Sequence, residues 1–399
     1  EIANRRDDSD GAVRLYRAAL AGTGEAVRRR PDDPERLFEH AQNVFAIGEL
    51  ARQRGQLNDA LTAFREYERL ATRMVGLEPD NMRWRMETQY ADANLGIVFY
   101  ARRQYEDATK AFQQALATID GLARADPQNS DYQKGLQESL AWLADAQLAA
   151  GHLDQAIALR QRQVSLLDQL LVASGDVEYR EKLVSAHRAL GNVLAWHGDR
   201  GPALANFQLA VNQADKLLEV ELNNRMWRGD GARARLDLAR FLLQSNNVLG
   251  ASDAAKAGCG TNEALIAQDP SVVEWRAARR ECRTTQAQLA LARGQTNEAL
   301  GLAQQALRAA QSVNSPDGVE KKYAVGRAYR LLGDVRLKSG DSAGARAAWQ
   351  SGLDQLPQTT TEKPVELNER MLLMQRLGRT SEVSPLKARL DAIGYRIGA

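Results

Sequence analysis

The sequence predicts an all-α chain, a solenoid of antiparallel helix pairs, and three observations predict it. Ala, Leu, Arg, Gln and Glu dominate while β-branched and aromatic residues are sparse, a balance that forms helices rather than strands. One local pattern returns in "RGQLNDALTAF", "RRQYEDATKAF", "AGHLDQAIALR", "HGDRGPALANF", "RGQTNEALGLA" and "SGDSAGARAAW": a turn residue, two or three polar residues, then a small residue five places on. The turn residues, Gly55, Arg103, Gly151, Gly198, a degenerate Asn246, Gly294 and Gly340, stand 48, 48, 47, 48, 48 and 46 residues apart. A fixed period of this size marks stacked supersecondary units.

Within each period the small residues place the helices. Seven before the turn stand Gly48, Gly96, Ala144, Gly191, Ala239, Ala287 and Gly333, and five after it Ala60, Ala108, Ala156, Ala203, Ala251, Ala299 and Ala345. Without bulk at either point the two helices of a hairpin approach to the short end of the usual ~8–10 Å. Nine after the turn, Phe64, Phe112, Phe207 and Trp349 supply large knobs, and Arg160, Ala255 and Ala303 break that column. On the far side, Glu78-Pro79-Asp80-Asn81, Asp126-Pro127-Gln128-Asn129 and Asp269-Pro270 are turn and helix-start signals. An aromatic follows each, in the column Trp84, Tyr132, Tyr179, Trp227 and Trp275, with a slipped copy at Tyr323; this is packing between units.

The leucine–glycine pairs Leu95-Gly96, Leu190-Gly191 and Leu332-Gly333 complete a resemblance to the tetratricopeptide repeat (TPR) family over nearly the whole chain. That resemblance implies a right-handed superhelix of antiparallel helix pairs. The usual TPR unit is 34 residues and these are longer, so the surplus lengthens the helices to roughly twenty residues, ~30 Å. Only the last full unit reaches the family's proline on schedule, at Pro357. The long unit resembles arrays of large bacterial signalling and defence proteins, which follow a TIR, nucleotide-binding or protease-like effector.

A single solenoid over 1–399 is expected. One period back from Gly55 lands on Asp7, and Ala12, Tyr16 and Leu20 fit downstream of it. Residues 9–30 therefore read as the second helix of a unit whose first helix precedes residue 1, making the chain a piece of a longer polypeptide. Residues 31–357 hold seven helix pairs, with turns near 55, 103, 151, 198, 246, 294 and 340. Residues 362–394 cap the array, with a turn at Gly378 and a stop at Gly394.

Fifty-three basic against fifty-one acidic residues give a net charge of +2, with the signs interspersed. This argues against nucleic acid as a partner and against membrane contact by this segment, and no apolar stretch is long enough to span a bilayer. His40, His152, His187 and His197 lack metal-ligand spacing, and no phosphate-binding glycine loop or nucleophile elbow is present. No catalytic residue, cofactor or metal is expected, so the chain is read as non-enzymatic. Arg228-Gly229-Asp230 spells an adhesion tripeptide but lies within a repeat helix, where it is a coincidence.

A solenoid offers the concave surface lined by the first helix of each pair. Projection of that face collects Tyr90, Ile97 and Tyr100, then Arg188, Asn192 and Trp196, then Arg233, Leu236, Arg240 and Leu243 along one groove. In the resembling chaperone-binding repeats, a basic residue and an asparagine one turn apart grip a peptide's terminal carboxylate. Arg188 and Asn192 match that pair, while Asp237 and Glu281 stand where an amide and a second cation would complete it. The alternative is a row of solvated residues.

Cys259 and Cys282 fall on antiparallel neighbours, equally far from the turn near Pro270 and on inward slots. Two readings stay open. Free thiols would act as small hydrophobes in a cytoplasmic protein; a disulfide would place the chain in an oxidising compartment such as the periplasm. The function expected is a scaffold for a protein or peptide partner in the groove, with self-association a further possibility, as the sensory region of a larger bacterial signalling or defence protein. The alternative is a structural assembly module of an envelope or secretion complex.

Overall fold

The computed structural model describes residues 9–312, 318–358 and 361–396. These residues form seventeen α-helices. The chain divides into two compact units, residues 1–150 and 151–399. The first unit holds α1 (Ser9–Arg29), α2 (Pro34–Gln53), α3 (Leu57–Leu77), α4 (Met82–Ala101), α5 (Tyr105–Ala125) and α6 (Ser130–Ala150). The second holds α7 (Leu153–Ser174), α8 (Val177–His197), α9 (Arg200–Val220), α10 (Arg225–Gln244), α11 (Val248–Gln268), α12 (Val273–Ala292), α13 (Thr296–Gln311), α14 (Val319–Lys338), α15 (Ser342–Gln355), α16 (Pro364–Arg376) and α17 (Thr380–Ala392).

Helix α1 covers the stretch read from the sequence as the second helix of a unit, and its Leu20 packs into the core of the following hairpin; Asp7 and the side chain of Ala12 lie outside the described residues. From α2 to α12 the helices run 20 to 22 residues, while α15, α16 and α17 shorten to 14, 13 and 13.

All seven turn residues have positive φ, including the two that are not glycine, Arg103 at 62° and Asn246 at 58°. The turns share one mechanism. At Gly55 the amide of Gln56 donates to Ala51 O at 2.9 Å and that of Gly55 to Arg52 O at 3.0 Å, a Schellman closure that satisfies the last carbonyls of the helix. Gln104 to Phe99, Asn247 to Leu242 and Asp341 to Arg336 repeat it. On the far side, Asn81 accepts from the amide of Arg83 and Asn129 from that of Asp131, so both start helices as N-caps.

The glycine and aromatic columns are one device. A Cβ on Gly48 would stand 2.8 Å from the Phe64 ring, on Gly96 2.6 Å from Phe112, and on Gly191 2.9 Å from Phe207; Gly333 abuts Trp349 in the same way. Where the knob is Ala255 or Ala303 the facing residue is Ala239 or Ala287, and each pair shares a core. A large ring thus fits only where the opposing Cβ is missing. Trp84, Tyr179, Trp227, Trp275 and Tyr323 are buried between hairpins. Gly229 of the adhesion-like tripeptide is buried, and a Cβ there would lie 2.9 Å from Trp275 Nε1. Its role is packing.

Candidate partner-binding face

In the second unit the helices that open each pair, α8, α10, α12, α14 and α16, pack in succession against one another as well as against their hairpin mates. Among the described residues no helix that closes a pair packs comparably on the next, so the opening helices line the inside of the curve. α10 permits this by burying Gly229, Gly231, Ala232 and Ala234, small residues that let neighbouring backbones approach.

Each inner neighbour is tied by an arginine and a carboxylate. Arg188 of α8 donates through Nε to Asp237 of α10 at 2.7 Å. Arg240 pairs with the same carboxylate and lies 4.0 Å from Glu281 of α12. Arg280 of α12 lies 4.0 Å from Glu320 of α14. Arg330 of α14 grips Glu369 of α16 with two bonds of 2.6 and 2.9 Å, the bidentate geometry that suits a guanidinium. Burial alone would push the Asp237 carboxyl up, but the Arg188 and Arg240 guanidinium groups outweigh it and hold it below the usual range.

This placement changes the reading of the expected clamp. Arg188 and Asn192 are adjacent, but the guanidinium is engaged by Asp237 and the Asn192 amide donates to the Arg188 carbonyl at 2.9 Å. A peptide carboxylate would have to compete with a buried aspartate already bonded to two cations. Arg233, half-buried on α10, is one turn from Asp230, whose carboxyl is raised by burial against the opposing pull of Arg233 and Arg188. Trp196 is not open: its ring stacks on Tyr395 with centroids 6.3 Å apart at 24°.

Leu236 belongs to the core, fully buried beside Cys259 and Cys282, and Leu243 packs partly buried against α11. The projection failed for both because a packed inner layer buries one edge of each opening helix as well as its back. Tyr90 and Tyr100 lie in the first unit, on α4; Tyr90 is exposed and Tyr100 meets the Tyr105 ring edge-on at 5.5 Å. The sulfurs of Cys259 and Cys282 are bonded, with Cα atoms 5.6 Å apart, and this link joins α11 to α12. Sequence reasoning missed the ladder of ion pairs and the role of Tyr395. The signal for the ladder was present: Asp237 and Glu281, read as gaps in a clamp, are its rungs.

The fold is shared with known helical-repeat proteins. RapI in its apo form superposes with a TM-score of 0.55 at 12 % identity, over 79 % of this chain and 97 % of that one. The apo form of NprR, a quorum sensor from B. thuringiensis, gives 0.51 at 11 % identity, over 86 % and 87 %. A tetratricopeptide repeat protein from Parabacteroides merdae gives 0.46 at 16 % identity, over 84 % and 98 %. No family model matches the sequence, and no curated protein matches it. The chain is a TPR-like helical-repeat protein.

Proposed function

We propose that this chain is a non-enzymatic recognition scaffold that takes a protein or peptide segment along the inner face of its second unit, as the partner-binding region of a larger bacterial signalling or defence protein. The observation that supports it most is the inner layer itself. Adjacent opening helices present partly exposed side chains of both signs, the arginines Arg240 and Arg280 and the carboxylates of Glu281 and Glu320, which suits an extended segment with its own polar backbone better than a ligand of one charge. The likeness to a quorum sensor is one of fold and names the kind of role such a fold serves elsewhere. The disulfide supports an oxidising compartment such as the periplasm.

The test is site-specific photo-cross-linking in cells that make the full-length protein. The cross-linker is placed at Arg233 on the inner face, with Val172, 87 % exposed at the end of α7, as the control. A discrete adduct from position 233 that is absent from position 172 is expected. The same products at both positions, or none at either, would sink the proposal.

A further inference from the structure

The helical part of the chain ends where the repeat no longer explains what it touches. After α17, Gly394 at φ 75° turns the backbone and the Tyr395 amide closes back on Leu390 O at 2.9 Å. The following amide leaves its own helix: Arg396 N–H donates to Trp196 O, at the end of α8, at 2.7 Å. These residues are 200 positions apart in the sequence.

The contact is shaped on both sides. Tyr395 is buried against the Trp196 ring, and burial, with Glu369 adding to it, pushes its hydroxyl up. Ile393 sits over Gly151, where a Cβ would lie 3.4 Å from its side chain, and the stem of Arg396 lies over Gly198, where it would lie 3.2 Å away. His197 flanks Gly394 and is itself held between Asp199 at 2.8 Å and Asp154 at 3.3 Å. Two glycine turns of the array thus form notches on either side of an aromatic face. Four residues, an aliphatic, a glycine, a tyrosine and an arginine, fill them. Hairpin closure accounts for the glycines, but nothing in the repeat calls for a tail across them.

We propose that the surface formed by Trp196 and the Gly151 and Gly198 turns is a docking site for a short aliphatic–glycine–aromatic–arginine segment. The chain's own Ile393–Arg396 fills it, and a partner carrying such a segment enters by displacing the tail. The physical basis is competition. A tethered segment acts at an effective concentration of order millimolar, so it holds a modest site closed against free peptide without any single strong bond. Displacement also frees the end of α17 from α8, which opens the inside of the second unit. Only the identity of the partner rests on the scaffold reading; the site itself is tested without a partner.

The probe is a fluorescently labelled peptide copying residues 390–396, Leu-Asp-Ala-Ile-Gly-Tyr-Arg, titrated by anisotropy against the full chain and its variants. Tyr395→Ala removes the competitor and is expected to bind the peptide at least about tenfold more tightly than the unaltered chain. The double variant Trp196→Ala/Tyr395→Ala is expected to lose that gain. Arg396→Pro, outside every helix, removes the amide donor and opens the latch by an independent route if Tyr395→Ala does not fold. Small-angle scattering of either opened variant should show a larger radius of gyration. Equal peptide binding by the unaltered and opened chains, equal binding with and without Trp196, or unchanged dimensions would each overturn the proposal.

Discussion

The two units use the same hairpin but hold their opening helices in different ways. In the first, α2 and α4 are bridged by long side chains: Gln42 donates to Glu87 at 2.9 Å and Arg83 reaches Glu35 at 2.9 Å, while Tyr67 of the intervening α3 donates to the same Glu87 at 2.6 Å. In the second the opening helices touch, and the bridges are the ion pairs of Arg188 with Asp237 and of Arg330 with Glu369. The helices differ at matched positions: both bury the column tryptophan, Trp84 or Trp227, but α4 buries Gln89 where α10 buries Ala232, and α10 adds the buried glycines Gly229 and Gly231. Two carboxylates carry the consequence. Glu87 is 7 % exposed and Asp237 3 %. Burial raises the Glu87 carboxyl and the hydrogen bonds from Tyr67 and Gln42 only soften the rise, whereas two guanidinium groups reverse it for Asp237. Neutral donors solvate a buried carboxylate in part; cations compensate for its burial.

The largest test of the contrast lies in the hairpin cores. Phe112→Ala removes a knob seated against Gly96 and is expected to destabilise by about 3–5 kcal/mol, whereas Ala255→Gly, in a hairpin built without a knob, should cost about 1 kcal/mol. Urea titrations of the two variants compare them directly, and equal losses would show that the alanine hairpins depend on this column as much as the aromatic ones. Next is the disulfide, which staples α11 to α12 beside the two alanine-paired hairpins. Replacing both cysteines by alanine should lower stability by about 3 kcal/mol for a loop of this length. Thiol titration in denaturant without reductant should find none free in the unaltered protein.

The smallest effect separates the units by pH. Asp92 of α4 is pushed up to about 7 by burial and then by Glu68. Its folded value lies above its unfolded one, so stability from its proton is full below the ordinary aspartate range and is lost as pH rises toward 7. Asp237 has the opposite sign: its contribution is present above the ordinary range and is lost as pH falls through its lowered folded value. Asp92→Asn should therefore raise the melting temperature at pH 8, by an amount equivalent to about 1 kcal/mol, and change little at pH 4. A gain of the same size at both pH values would show that the charge is not what the first unit tolerates poorly.

The sequence by itself determined the parts that repeat. Turn residues, helix lengths, the glycine and alanine columns and the buried aromatics each answer to forces within one hairpin or between neighbours, and a period of about 48 residues exposes them by recurrence. The pairing of each glycine with its ring was also legible, since Gly48, Gly96, Gly191 and Gly333 stand sixteen residues before Phe64, Phe112, Phe207 and Trp349. The tertiary structure decided the rest: that Arg188 and Arg240 meet on Asp237, that Leu236 turns into the core beside the bonded cysteines, and that Tyr395 covers Trp196. Those contacts depend on curvature, which accumulates from small differences in side-chain bulk over several hairpins. Recurrence records what each hairpin shares, and curvature arises from what they do not.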